Sequence, residues 1–150
     1  METLVMKQQS KLVLRLTLAL ALLPAALLSA CAGLGDWSFK GLPGDYEVWR
    51  FSAHVIKVVK LADESGTVAN AVVGSFVSDI WWNDDYILAK QKPEDTDPES
   101  SASYYIVEVS TDEVLGPYSK EEFDARISDL GIPFSQEDWI DVWDLPRDSS

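Results

Sequence analysis

Cys31 closes a long apolar run and is the only cysteine in the 150-residue chain. No other position constrains the fold as much. Leu28-Ser29-Ala30-Cys31 has the form of a lipobox, the motif at which bacterial lipoproteins are cut just before a cysteine whose thiol then takes a diacylglyceryl group. Cleavage after Ala30 and acylation of Cys31 would use up the one thiol. The rest of the chain then has no disulfide to draw on, even in an oxidising exterior, and must be stabilised by packing alone.

The thirty residues before Cys31 have the layout of an export signal. Lys7, Lys11 and Arg15 precede an apolar run over residues 16–28, and the small residues Ser29 and Ala30 follow it. Thirteen residues reach only about 20 Å as a helix, against a hydrocarbon core of about 30 Å, and Pro24 interrupts the run. A cleaved signal therefore fits better than a permanent membrane span. Met6-Lys7 also makes an alternative start, because it places positive charge at the N-terminus where Met1-Glu2 does not. An ordinary signal peptide cut at Ala30-Cys31-Ala32 is the plainer alternative for the same stretch.

The mature part has its own composition. Of 12 basic and 25 acidic side chains, Lys7, Lys11, Arg15 and Glu2 fall in the signal, leaving nine basic and 24 acidic, a net charge of −15. Nucleic-acid binding needs cations that release counterions, so that class is excluded. Acidity of this size serves solubility, or it steers a basic partner in a salt-sensitive way. All sixteen aromatic residues, six of them tryptophan, lie after Cys31. About 120 residues with that apolar content make one domain and one core.

Taken in order, residues 32–36 with Gly33 and Gly35 read as a short tether, and Gly41-Leu42-Pro43-Gly44 as a turn. Residues 46–51 alternate as a strand, and residues 54–61 as a second. An apolar run resumes at Ala71-Val72-Val73 and continues through Phe76-Val77 to Ile80-Trp81-Trp82 without helical spacing. Asn83-Asp84-Asp85 is a turn, and residues 86–90 are its hairpin partner. Residues 92–103 form an exposed loop with Pro93, Pro98 and four carboxylates. Residues 104–109 are another strand, with a short return at Val114-Leu115 ending at Gly116-Pro117.

Ser119 opens the clearest helix, because Ser119 and Glu122 make a capping box. Phe123, Ile127 and Leu130 then form one apolar stripe. Gly131 suits a left-handed exit and Pro133 blocks continuation. Ser135 and Asp138 cap a second short turn carrying Trp139, Ile140 and Trp143. The expected fold is α+β: an antiparallel β-meander sheet of about five to six strands with a C-terminal helix packed on it, preceded by a signal peptide. The expected organisation is a signal peptide at 1–30, lipidated cysteine and tether at 31–40, a single α+β domain at 41–146 and a frayed end at 147–150.

Tyr46-Glu47-Val48, the segment Asn83-Asp84-Asp85-Tyr86-Ile87-Leu88-Ala89-Lys90, Tyr104-Tyr105-Ile106-Val107, and Gly116-Pro117-Tyr118-Ser119 with Glu122-Phe123 occur in an order that resembles a family of small bacterial lipoproteins of unknown function. The resemblance spans most of the mature domain. It implies a membrane-tethered single domain and carries no activity with it.

Few residues are suited to catalysis. His54 is the only histidine; it falls within a strand pattern, no Gly-x-Ser-x-Gly elbow accompanies it, and it reads as structural or superficial. An acylated Cys31 removes thiol nucleophiles and cysteine-rich zinc sites. Asp84 and Asp85 are adjacent carboxylates at a turn, where acid/base work is less usual than turn hydrogen bonding. Glu94, Asp95, Asp97 and Glu99 offer oxygen ligands but lack the glycine and distal glutamate of a calcium loop. No cofactor and no metal are expected.

Trp81-Trp82 is the remaining candidate. On a strand the two rings point to opposite faces, so one can fill the core while the other faces solvent or a second layer, and core packing against the Phe123 helix is the plainer reading for both. With Asp84 and Asp85 they make the candidate interaction site, either against a protein or stacked on a sugar ring. The reading with most support is a non-enzymatic, lipid-anchored acidic domain of the cell envelope with a basic protein partner or a structural role. An inhibitor or immunity protein against a basic toxin or hydrolase, and a glycan-binding module, are the alternatives. Ala32 after Cys31 favours the outer membrane where there is one.

Overall fold

Strand formation follows the alternation of apolar and polar side chains along the chain. In the computed structural model, which describes residues 36–63, 65, 68–93, 98 and 101–147, nine strands and one α-helix form. Strands β1 (Trp37–Phe39), β2 (Tyr46–Arg50), β3 (Ile56–Leu61) and β4 (Ala69–Val73) make an antiparallel four-stranded meander. Strands β5 (Val77–Trp82), β6 (Tyr86–Gln91), β7 (Ser103–Glu108) and β8 (Glu113–Tyr118) make a second. The two-residue strand β9 (Ile140–Asp141) pairs with the outer edge of β5, giving the order β8-β7-β6-β5-β9. Helix α1 spans Lys120–Leu130. Among the described residues no helix is long and apolar enough to cross a membrane.

The α+β class is as expected, but the strands form two sheets, not one. The division falls at Gly74-Ser75-Phe76, inside the apolar run that joins residues 71–82 in the sequence. Phe76 takes a φ of 71°, which turns the chain out of the first sheet and into the second. Two further expectations are corrected. Residues 31–40 are not all tether, because Trp37 and Phe39 are buried in β1 and pair with β2. The return strand does not end at Gly116-Pro117 either: β8 continues through that pair to Tyr118. Gly116 has a φ of 122°, and a Cβ there would lie 2.6 Å from the Tyr104 carbonyl oxygen. Only glycine fits so close an approach.

The second sheet is covered on both faces, and strand alternation divides its side chains between two cores. Ile87 and Ala89 of β6 and Val107 of β7 face the first sheet, joining Val48, Val58 and Val73. Leu88, Tyr104 and Ile106 face α1, joining Phe123 and Ile127. Ile87, Leu88 and Ala89 are consequently all buried, as expected for a strand between two layers. Each such aliphatic or aromatic side chain contributes roughly 1.5–3 kcal/mol by leaving water.

The helix ends follow the local sequence. Ser119 Oγ accepts from the Glu122 amide at 3.3 Å, and Glu122 Oε2 accepts from the Ser119 amide at 2.8 Å. Gly131, at φ 64°, donates its amide to Ile127 and Ser128 and closes the other end. Gln136–Asp138 is a 3-10 turn whose Asp138 carboxylate accepts from the Ser135 amide at 2.7 Å. Val142–Asp144 is another, following β9 directly.

Candidate functional site

The paired tryptophans of β5 point to opposite faces, and both rings are taken up by packing. Trp82 lies against the inter-sheet core with its ring centroid 5.3 Å from that of Phe39. Trp81 lies on the helix side, 5.6 Å from Phe134. Both are half-buried. Of the two placements left open for the second ring, solvent or a second layer, the structure shows the second layer, with the helix side covering Trp81 and the first sheet covering Trp82. The tryptophan that does reach solvent is Trp143, 41% exposed.

Asp84 and Asp85 are exposed at the β5–β6 turn. The turn is held by their neighbour, since Asn83 Oδ1 accepts from the amides of Asp85 and Tyr86 at 2.9 and 2.8 Å. The two carboxylates therefore project from a rigid turn, and the tryptophans beside them in sequence are directed into the cores. The structure does not assemble the four residues into one surface. Ala30, Cys31, Glu94, Asp95, Asp97 and Glu99 lie outside the described residues. Among the described residues no cluster of histidine, cysteine and carboxylate side chains has the makings of a metal site.

Two other features stand out. The first is an acidic surface on α1 and the turn after it. Glu121, Glu122, Asp124 and Asp129 of the helix and Glu137 and Asp138 of the turn are all exposed. Gln136 Nε2 lies 3.4 Å from Asp124 Oδ1, so the two elements are in contact. Lys120 pairs with Asp124 one helical turn on. Glu122 is held ionised by the Ser119 amide and then by its hydroxyl, which together lower its carboxyl below the usual range.

The second is a groove of about 630 Å³ between the β2–β3 loop, β5, β6 and the turn after β9. Phe76, Ser78, Asp79, Lys90, Lys92 and Trp143 line it, with His54 and Asp141 at its walls. His54 is exposed in the loop before β3, not inside a strand as its pattern indicates, and its ring centroid lies 6.1 Å from that of Phe76. Ser78 occupies an irregularity in the β5–β6 register, and its hydroxyl donates to Asp79 Oδ2 at 2.8 Å. Lys90 lies 3.6 Å from Asp79 with its side chain only 13% exposed. Arg50 stacks its guanidinium 4.5 Å from the Trp143 ring centroid.

The groove gathers residues 53 to 143, a span over which no sequence motif runs. Its one local signal is Gly74-Ser75, a break between two strand-forming runs that marks where the chain changes sheet.

A model for a family described as a protein of unknown function, DUF3997, matches residues 43–137. That is more than half of the chain. The chain belongs to this family. The DUF3997 match runs from the turn before β2 into the 3-10 turn after α1, so it includes the acidic surface except Asp138. It stops short of β9 and Trp143, which close the groove. No curated protein and no solved structure matches the chain.

Proposed function

We propose that this DUF3997 protein is a lipid-anchored envelope lipoprotein whose acidic domain binds a basic protein partner and carries out no reaction itself. In this reading Cys31 holds the domain on the membrane surface, and β1 begins six residues later at Trp37. The domain therefore works within a short reach of the bilayer. Two or more acyl chains, at about 0.8 kcal/mol per buried CH₂, suffice for stable anchoring.

The observation that carries the reading is the exposed carboxylate surface of α1 and its following turn. The helix is stabilised from its other side by Phe123 and Ile127 and by its capping box, so the outward carboxylates are presented on a firm element. A surface with a large excess of one sign on a strongly charged domain accelerates encounter with an oppositely charged protein.

The test is capture from envelope extracts with the full anchored protein. A basic protein is expected to be retained at about 0.1 M ionic strength and released at about 1 M, where the screening length falls from ~10 Å to ~3 Å. Reversing Glu121 and Asp124 to lysine is expected to abolish retention with the fold intact. Recovery of the same proteins by the reversed variant would overturn the reading.

A further inference from the structure

The inner face of the first sheet packs on the second sheet through Val48, Val58 and Val73. Strand alternation turns Trp49, Lys57, Val59 and Ala71 the other way, with Trp49 opposite Lys57 and Val59 opposite Ala71 in the strand registers. None of these four belongs to either described core. Phe51 lies edge-on to Trp49 with ring centroids 5.9 Å apart, and it is 49% exposed. Trp49 and Lys57 are half-buried and Ala71 is exposed. Glu47, the one acidic residue in the four strands, is 8% exposed and accepts from Trp49 Nε1 at 2.6 Å, so its carboxylate is drawn in against the indole. The outer face therefore presents aromatic rings with a lysine beside them.

Charge is divided unevenly along the chain. Residues 31–73, which include the first sheet, carry four basic and five acidic side chains, whereas residues 74–150 carry five and nineteen. Of the net charge of −15, −14 therefore belongs with the second sheet, α1 and their connections. The reach of the anchor acts in the same direction. From Cys31 to Trp37 the chain advances six residues, about 20 Å when fully extended. With α1 turned to the bilayer, two layer spacings of about 10 Å and a helix radius of about 5 Å would hold β1 roughly 25 Å above the surface, beyond that reach.

We infer that the outer face of the first sheet rests on the bilayer surface, with Trp49 and Phe51 at the level of the lipid headgroups and Lys57 against their phosphates. Tryptophan favours that level, because its ring is apolar in body and polar at one edge. A lysine close to the surface is drawn to anionic headgroups, and the carboxylates of the second sheet and helix are repelled by them. The layer order then directs α1 away from the membrane, where its carboxylates meet a partner and not like-charged lipid. The inference rests on the lipid anchor at Cys31 and adds which face that anchor brings to the bilayer.

The experiment places the full acylated protein in vesicles of equal parts phosphatidylethanolamine and phosphatidylglycerol. Lipids brominated on the upper acyl chain quench tryptophan emission by contact, and acrylamide quenches it from water. Trp49→Phe is expected to remove most of the bromine-quenched emission, and Trp139→Phe, on the helix side, to leave it in place. Phe51→Asp combined with Lys57→Glu is expected to cut the quenching to about half or less, with vesicle retention and the circular dichroism spectrum unchanged. A protein that does not float with the vesicles refutes the anchor itself. A floating protein whose bromine quenching survives Trp49→Phe refutes the orientation alone. Trp49 emission shielded from acrylamide yet untouched by bromine would mean that a second copy or another protein covers the face, and it overturns the inference, as does full quenching in the Phe51→Asp, Lys57→Glu variant.

Discussion

The Tyr46 hydroxyl donates to Asp112 Oδ1 at 2.9 Å, joining β2 of the first sheet to the β7–β8 turn of the second across 66 residues of chain. Lys60 of β3 pairs with the other oxygen of Asp112, and its ammonium lies 5.5 Å from the Tyr46 ring centroid. Burial, then the bond to and charge of Asp112, push the phenol up to about 12. Bonds from Lys60 and then Tyr46 hold the Asp112 carboxyl below its usual range.

Alkaline stability should report this link. The folded protein favours the neutral phenol, so the contribution of Tyr46 is complete below its ordinary value of 10 and is lost as pH rises toward about 12. Thermal midpoints of the wild type should fall through that window. Tyr46→Phe should flatten that part of the curve and cost about 1–2 kcal/mol at neutral pH. An unchanged alkaline fall in the variant would remove Tyr46 as its cause.

Acid acts on the other partner with the opposite sign. The lowered Asp112 carboxyl stabilises the fold above the usual carboxylate range, and that share is lost as pH falls through its depressed value. Urea unfolding followed downward from about pH 5 should show a shallower loss in Asp112→Asn than in the wild type. Equal slopes would place the acid sensitivity elsewhere.

The capping box makes α1 sensitive to a single hydroxyl. Ser119→Ala should cost about 1 kcal/mol, read as a lower urea midpoint at unchanged slope. Ser119→Asp should recover most of it, since a carboxylate also caps and suits the positive end of the helix.

Aromatic residues of similar size should differ sharply in cost. Phe123 is fully buried and stacks at 4.9 Å on Tyr104. Phe123→Ala should cost about 3–5 kcal/mol. Trp143, at the open groove, should cost under about 1 kcal/mol when replaced by alanine. Chemical unfolding of both variants measures the contrast, and similar losses would contradict the two-core arrangement.

The proposed anchor has a direct mass readout. The mature N-terminal peptide should begin at Cys31 and carry acyl chains, and Cys31→Ser should release the protein from the membrane fraction. An unmodified thiol at that position would refute it.

What could be read from the sequence depended on the range of the interaction responsible. The helix and its second turn were legible because capping box, apolar stripe, Gly131 and Pro133 act within a few residues. Strands β2, β6 and β7 were legible because their alternation is local. The same rule correctly sent Trp81 and Trp82 to opposite faces, but it could not say that both faces are covered. That depends on α1 and the first sheet, which come from distant parts of the chain.

By itself, then, the sequence determined the helix and most of the strands, the α+β class, the acidic balance and the single cysteine. Only the tertiary structure decided that the strands divide at Gly74-Ser75-Phe76 into two sheets, that β1 belongs to the fold, and that β9 returns to the edge of β5. Strand pairing is chosen by which apolar faces find a common core, a free energy of burial summed over the whole domain. The groove is a product of that choice: His54, Phe76, Lys92 and Trp143 meet only because the two sheets pack face to face beside the turn that follows β9.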